Sequence, residues 1–235
     1  MTDLDACETK PSIGRLNERS LHAALKAWCS VPGDRLEVTV DGYVVDVVRE
    51  GLLIEVQTRR IAGIQDKLLS LAQSHDVRLV YPVIASKTIV TVDLDGETVI
   101  RTRRSPGRQV WGNLFDELVY CPKLLQPDRL ELLAVRVAVT EVRCADGLGA
   151  WRRKRVSIRD TQLDEVLETR VFCTDSDLLA LLPESLECPF THRDLASVLG
   201  VRLATAQRAS YCLRQLGLLQ VAGRQGRALL LERVV

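Results

Sequence analysis

Between residues 35 and 58, three short runs rich in Val, Leu, Ile and Thr are separated by two tight turns. This stretch constrains the fold more than any other. Residues 35–40 alternate in polarity, Asp41-Gly42 turns, 43–48 returns, Arg49-Glu50-Gly51 turns again, and 52–58 runs out. Asp-Gly between β-type runs favours a type I′ turn, because both residues tolerate positive φ. The expectation is an antiparallel meander of three strands.

Helical patterns flank the meander. Leu21, Leu25 and Trp28 form one apolar stripe, with Asn17 as cap and Val31-Pro32-Gly33-Asp34 as stop. Ile64, Leu68, Leu71 and Ala72 share a second helical face. Residues 77–84 and 88–94 read as strands, Asp95-Gly96 as a turn and 97–103 as a last strand. The order α-β-β-β-α-β-β(-β) makes an α/β arrangement with a mixed sheet. Residues 104–110 read as a loop or linker, 111–120 as a helix, and 130–143 as a strand answered across a turn by 151–158. From 174 the texture is helical: 174–182, ended by Pro183; 191–199, with Thr191 and Asp194 as a capping box and Gly200 as stop; and 204–216, ended by Gly217. Strands at 218–221 and 228–233 then flank the turn 223–226. Three helices followed by a hairpin is the order of a winged helix. Three regions are expected: 13–104, a basic linking region 105–172, and 173–235.

Composition permits a real core: 46% of the 235 residues are hydrophobic, but only 4% are aromatic, so Leu, Val, Ile and Ala must fill it. The net charge of +1 hides an uneven distribution. Residues 1–100 carry 11 basic against 15 acidic groups, 101–160 carry 13 against 7, and 161–235 carry 8 against 9. A basic middle is compatible with a polyanionic partner or with a solvated surface. Seven scattered cysteines without a CxxC spacing argue against a zinc site and a disulfide framework. A polar N-terminus and the lack of a long apolar run point to a soluble cytoplasmic protein with no membrane partner. GxxxxGK[ST], GxGxxG and GxSxG are absent, and three histidines without HxxxH spacing make a histidine metal site improbable.

The chemistry sits in the meander. Along 52–58, Leu52, Ile54 and Val56 point one way; Glu55 and Gln57 point the other, with Leu53. In the preceding run Asp46 lies among valines, with Val44 and Val48 on its face. A carboxylate among valines costs several kcal/mol unless paired or bound to a cation. A short turn joins the two runs, so Asp46 and Glu55 can be neighbours across the ladder, where they repel until a cation relieves them. Hard oxygen ligands suit Mg²⁺, or Mn²⁺ in its place. Glu18 extends the buried stripe of the first helix toward the same place. Arg49, Arg59 or Arg60 could instead neutralise these acids as ion pairs.

Glu18, then Asp46, then Glu55-x-Gln57 after a short turn is similar to the PD-(D/E)XK (restriction-endonuclease-like) nuclease superfamily, whose core has an α-β-β-β-α-β order. The run Ile13-Gly14-Arg15-Leu16-Asn17-Glu18 with Leu21-His22, then Leu53-Ile54-Glu55-Val56-Gln57-Thr58, resembles a little-characterised prokaryotic family assigned to it. Over about residues 13–100 the resemblance implies Mg²⁺ held by Asp46 and Glu55 with help from Glu18. It also implies a Lys where this chain has Gln57. Gln cannot carry that charge, although some active members are similar in using Gln there. Lys67 or Lys26 would supply the missing cation unless each lies on a solvated helix face. His22, one turn after Glu18, would orient it.

Two surfaces would meet nucleic acid. On the last helix Thr205, Arg208 and Tyr211 lie off the apolar side, with Arg202 before it and Arg224 and Arg227 at the hairpin turn, as in a helix that reads a groove. The run Trp151-Arg152-Arg153-Lys154-Arg155 is the densest basic segment; on a hairpin only alternate residues would reach a phosphate backbone. The sequence thus leads to a Mg²⁺-dependent deoxyribonuclease in defence or repair, with DNA as partner and a homodimer compatible with duplex cleavage. The alternative is a non-catalytic DNA-binding or scaffold protein that retains a degenerate nuclease fold.

Overall fold

The structure, a computed structural model, describes residues 20–153 and 155–234. It is a mixed α/β fold built on an open, mixed sheet of seven strands with helices on both faces. The meander forms as the turns dictate: β1 (Arg35–Val40), β2 (Tyr43–Arg49) and β3 (Leu52–Val56) pair antiparallel in sequence. Asp41 and Gly42 both take positive φ, 49° and 83°, the twist that a two-residue hairpin requires. A 3-10 turn (Ile61–Ile64) and α2 (Gln65–Leu71) then carry the chain back, so that β4 (Asp76–Val92) lies parallel to β3.

β4 is the spine of the sheet. Sequence suggested two strands here, because Ser86-Lys87 interrupts the apolar run; the structure has one strand of 17 residues. A bulge absorbs the interruption: Ile84 pairs with Val137 and Ser86 with Ala138, leaving Ala85 as the extra residue. On one edge β4 holds β3 and, further along, β5 (Val99–Arg104). On the other it runs parallel to β6 (Leu130–Cys144), which in turn pairs antiparallel with β7 (Ser157–Phe172). Residues 105–172 are therefore no linker. They supply a 3-10 turn (Trp111–Leu114), α3 (Phe115–Leu118) and two strands of the sheet. The expected return strand at 151–158 is corrected as well: Trp151–Arg153 is a 3-10 turn and the strand starts only at Ser157.

α1 (Ser20–Cys29) covers one face of the sheet. Leu21 and Leu25 pack on Val47, Ile54, Val56 and the β6 valines Val135, Val137 and Val139. Burying Leu25 completely contributes about 2 kcal/mol. Trp28, expected to extend that stripe, is 42% exposed. Ser20, at the start of α1, hydrogen-bonds Asp160 of β7. The opposite face carries α2, α3 and the C-terminal elements in one continuous core, from Val45 and Leu53 through Leu68 and Phe115 to Leu213 and Leu231. Those C-terminal elements are α4 (Asp175–Leu179), α5 (His192–Leu199), α6 (Leu203–Gln215) and the hairpin β8 (Leu219–Gln225)–β9 (Ala228–Arg233). α5 begins as its sequence predicts: Asp194 accepts from the Thr191 N–H at 2.8 Å, and the Thr191 hydroxyl accepts from the first-turn amides. α4 ends at Leu179, short of the expected Leu182. Among the described residues no helix is long and apolar enough to cross a membrane.

Candidate active site

Where β2 leaves β3, two carboxylates come together. The paired register ends at Val47↔Ile54, and its next step sets Asp46 opposite Glu55. β2 turns here: Val45 joins the core under α2 and Val47 joins the core under α1, so strict alternation breaks at Asp46. That break corrects the expectation of Val44, Asp46 and Val48 on one face, since Val44 is 58% exposed and Val48 is buried. The Asp46 carboxylate fills the gap. Its Oδ2 accepts from the Val56 N–H at 2.9 Å, an amide that β2 no longer reaches.

Both acids are held from the helices. His22 Nε2 of α1 lies 3.3 Å from Asp46 Oδ2. Lys67 Nζ of α2 lies 2.5 Å from Glu55 Oε1 and 2.6 Å from the Val44 carbonyl. The idea of Lys67 on a solvated helix face is thereby corrected, since its side chain is only 16% exposed. Lys26 is also buried and binds Glu37 at 2.8 Å. Arg49, expected as a neutraliser, instead pairs with Asp34 at 2.7 Å. The signal for Lys67 was present in the sequence: it stands three residues after Ile64 and one before Leu68, at the margin of the buried stripe.

The two carboxyls titrate in opposite directions. Burial pushes Glu55 up, and burial together with the Asp46 charge outweighs what the Lys67 hydrogen bond and charge take away, so its pKa lies above the usual carboxylate value. Burial also pushes Asp46 up, but the His22 hydrogen bond and charge, the Val56 amide and the Lys26 charge together outweigh it and bring Asp46 below its usual value. Glu55 Oε2 is buried and, among the described residues, has no hydrogen-bond partner. An orphaned carboxylate oxygen beside a second carboxylate fits a hard cation, which would supply the missing contact. Among the described residues no group of three or more His, Cys, Asp or Glu gathers at metal-holding distance. Glu18 lies outside the described residues. Gln57 follows β3; its amide still donates to the Val80 carbonyl at 2.9 Å, and its side-chain Oε1 accepts from the Arg59 N–H at 3.3 Å.

The other expected residues are dispersed. Thr205 is 4% exposed and donates to Asp116 Oδ1 at 2.9 Å, while Arg208 reaches the same oxygen at 2.6 Å. This face of α6 is turned onto α3 and presents no Thr205 to a groove. The sequence held no sign of Asp116 as an anchor, because its partners lie about ninety residues away. The exposed side of α6 is Leu203, Ala204, Gln207, Tyr211, Arg214 and Gln215, beside exposed Arg202, Arg224 and Arg227. Arg152 and Arg155 are exposed in the loop before β7, and Lys154 lies outside the described residues.

Residues 19–173 match the family model described as "Domain of unknown function (DUF8091)". A relative from Treponema pallidum (strain Nichols), described as "Uncharacterized protein", is 31% identical over 204 residues, covering 86% of this chain and 79% of its own length. No solved structure matches.

Proposed function

The chain belongs to the family of the domain of unknown function DUF8091, and we propose that it is a metal-dependent nuclease of the PD-(D/E)XK type, hydrolysing phosphodiester bonds of DNA. The observation that carries this reading is the buried Glu55 Oε2, without a partner among the described residues, set against Asp46 at the parting of β2 and β3. The order α1-β1-β2-β3-α2-β4, with β3 parallel to β4, supports it. We read α4 to α6 with the β8–β9 hairpin as a winged helix that docks on DNA through the exposed side of α6 and the hairpin arginines.

Asp46 and Glu55, with Glu18, would hold Mg²⁺ or Mn²⁺. When bound, the ion lowers the pKa of a water and neutralises charge on the phosphate. The chain's own residues do the rest. His22 and the Val56 amide fix the Asp46 carboxylate in its ionised form. Lys67 places its ammonium beside Glu55, where the missing motif lysine would put its charge, and it can meet a phosphate oxygen. Gln57 orients water or phosphate by hydrogen bonding.

Asp46→Asn keeps an acceptor for the Val56 amide but removes the charge. It should abolish Mg²⁺-dependent plasmid cleavage while preserving the circular dichroism spectrum, and Asp46→Ala should do the same at some cost in stability. Mn²⁺ titrated calorimetrically should bind the wild type and fail on Glu55→Gln. Cleavage undiminished in Asp46→Asn would sink the assignment. A second reading rests on the Lys67–Glu55 pair itself, which can close the site as a purely structural bridge in a non-catalytic DNA-binding protein. Intact DNA binding with no Mn²⁺ heat would favour that reading.

A further inference from the structure

Two cavities share Ile84 and Lys87 of β4 in their walls, one on the α1 side of the sheet and the other on the α3–α6 side. The first, about 550 Å³, opens beside Thr58 and Arg59, just past Gln57, and is walled by Leu148, Gly149 and Ala150. The second, about 570 Å³, lies between the 105–109 loop and the start of α6, with Arg108, Arg202 and Arg208 in its lining. Ile84 and Lys87 line both. Each is within the roughly 300–1,000 Å³ of clefts that hold small ligands, about the scale of a nucleotide.

The combined lining is cationic. Its two acids are already neutralised: Asp116 by Arg208 at 2.6 Å, and Glu141 by Lys87 at 2.8 Å and Arg143 at 2.5 Å. Among the described residues Arg59, Arg108 and Arg202 have no carboxylate within ion-pair distance. The loop that walls the first cavity carries exposed apolar groups. Leu148 is 86% and Trp151 77% exposed, and the Arg152 guanidinium lies 5.4 Å from the Trp151 ring centre. The loop is pinned at its base, where the Gly149 N–H donates to the Arg155 carbonyl at 2.8 Å.

We propose that the two cavities join round the edge of β4 at Lys87 into one trough, a binding track for single-stranded nucleic acid that leads from Arg59, next to the Asp46–Glu55 site, past Lys87 to Arg108 and Arg202, with Trp151 as a stacking platform at its lip. Cations along a concave path meet successive phosphates, and an exposed indole accepts the face of any base; this is the chemistry of single-strand grooves. A path that bends from one side of the sheet to the other takes a flexible strand more readily than a stiff duplex. The proposal rests on the nuclease reading for the identity of the site at its head, while its binding chemistry is independent of catalysis.

The test is fluorescence anisotropy with a labelled oligo-dT strand and its duplex, in EDTA, over a salt series. Arg108→Glu/Arg202→Glu should weaken single-strand binding and lower the log–log salt slope by about 1.4, two phosphate contacts at about 0.7 each. Trp151→Ala should cost about tenfold. Arg129→Glu, at the opposite end of β4 and β6, should change neither. An unchanged slope in the double variant, equal loss in the Arg129 control, or tighter binding of the duplex than of the strand overturns the track. Because EDTA removes metal chemistry, a chain that never cleaves but shows the slope change retains the track and refutes only the nuclease. A chain that cleaves with an unchanged slope does the reverse.

Discussion

Replacing Lys67 by methionine removes the cation bonded to Glu55 and leaves its methylene packing largely in place. Both side chains are well buried, at 16% and 10% exposure, so solvent screens the pair weakly. Breaking one partner out of a buried pair costs about 3–5 kcal/mol, because the remaining charge is stranded. For a chain of this size that corresponds to a fall in Tm of roughly 6–20 °C. The loss must also depend on pH. Glu55 already has a folded-state pKa above its usual value of 4.5, and without Lys67 it rises further. A carboxyl with a raised folded-state pKa binds more protons folded than unfolded, so stability falls as pH climbs from the unfolded value through the folded one. The deficit of Lys67→Met should therefore be small near pH 4, about the value of one lost hydrogen bond, and full above neutrality. Urea unfolding followed by circular dichroism at several pH values measures it. Glu55→Gln/Lys67→Met removes both charges and should recover most of the loss. A deficit under about 1 kcal/mol at pH 8, or one that does not vary with pH, would refute the reasoning.

Other perturbations probe the frame. Asp116→Ala strands the buried Thr205 hydroxyl and frees Arg208 and Asn113, and should cost about 1–3 kcal/mol in urea unfolding; no loss would mean that α6 does not depend on this anchor. Thr191→Ala removes the cap of α5 and should cost about 1 kcal/mol, with Thr191→Ser restoring most of it. In Gly149→Ala the new Cβ would meet the Val156 carbonyl oxygen at 1.9 Å. The 146–156 loop must then rebuild, seen as a changed tryptophan emission with far-ultraviolet dichroism intact; an unchanged spectrum would show that the loop has room to spare.

Local rules made the meander and α5 legible from sequence, since turn chemistry and capping act within a few residues. β7 went unread because it lies on an edge with only Phe172 buried, so Asp160, Asp164, Glu165 and Glu168 leave no apolar alternation to find. β4 was split because a bulge is a tertiary solution to a polar interruption. At the site, Asp46 and Glu55 were visible as carboxylates in apolar strands. Lys67 and His22 were visible as candidates, but which acid each would hold was not, because they reach the site from helices whose orientation only packing decides. Thr205 was misplaced for the same reason, because a helix's inward side depends on what lies beneath it, and Asp116 lies beneath α6.

The single extra residue in β4 has a consequence for the geometry of the whole molecule. Side chains alternate along a strand, so Ala85 acts as a half-turn switch between two registers. Upstream of it, β4 sets the height of Glu55 through its pairing with β3; downstream, it presents Lys87 to the wall that the two cavities share. Removing the bulge would leave the carboxylates undisturbed and send the downstream side chains to the other face of the sheet. The site and the trough are thus phased to one another by one alanine, and a chain shortened there is expected to keep one half of its surface chemistry and invert the other.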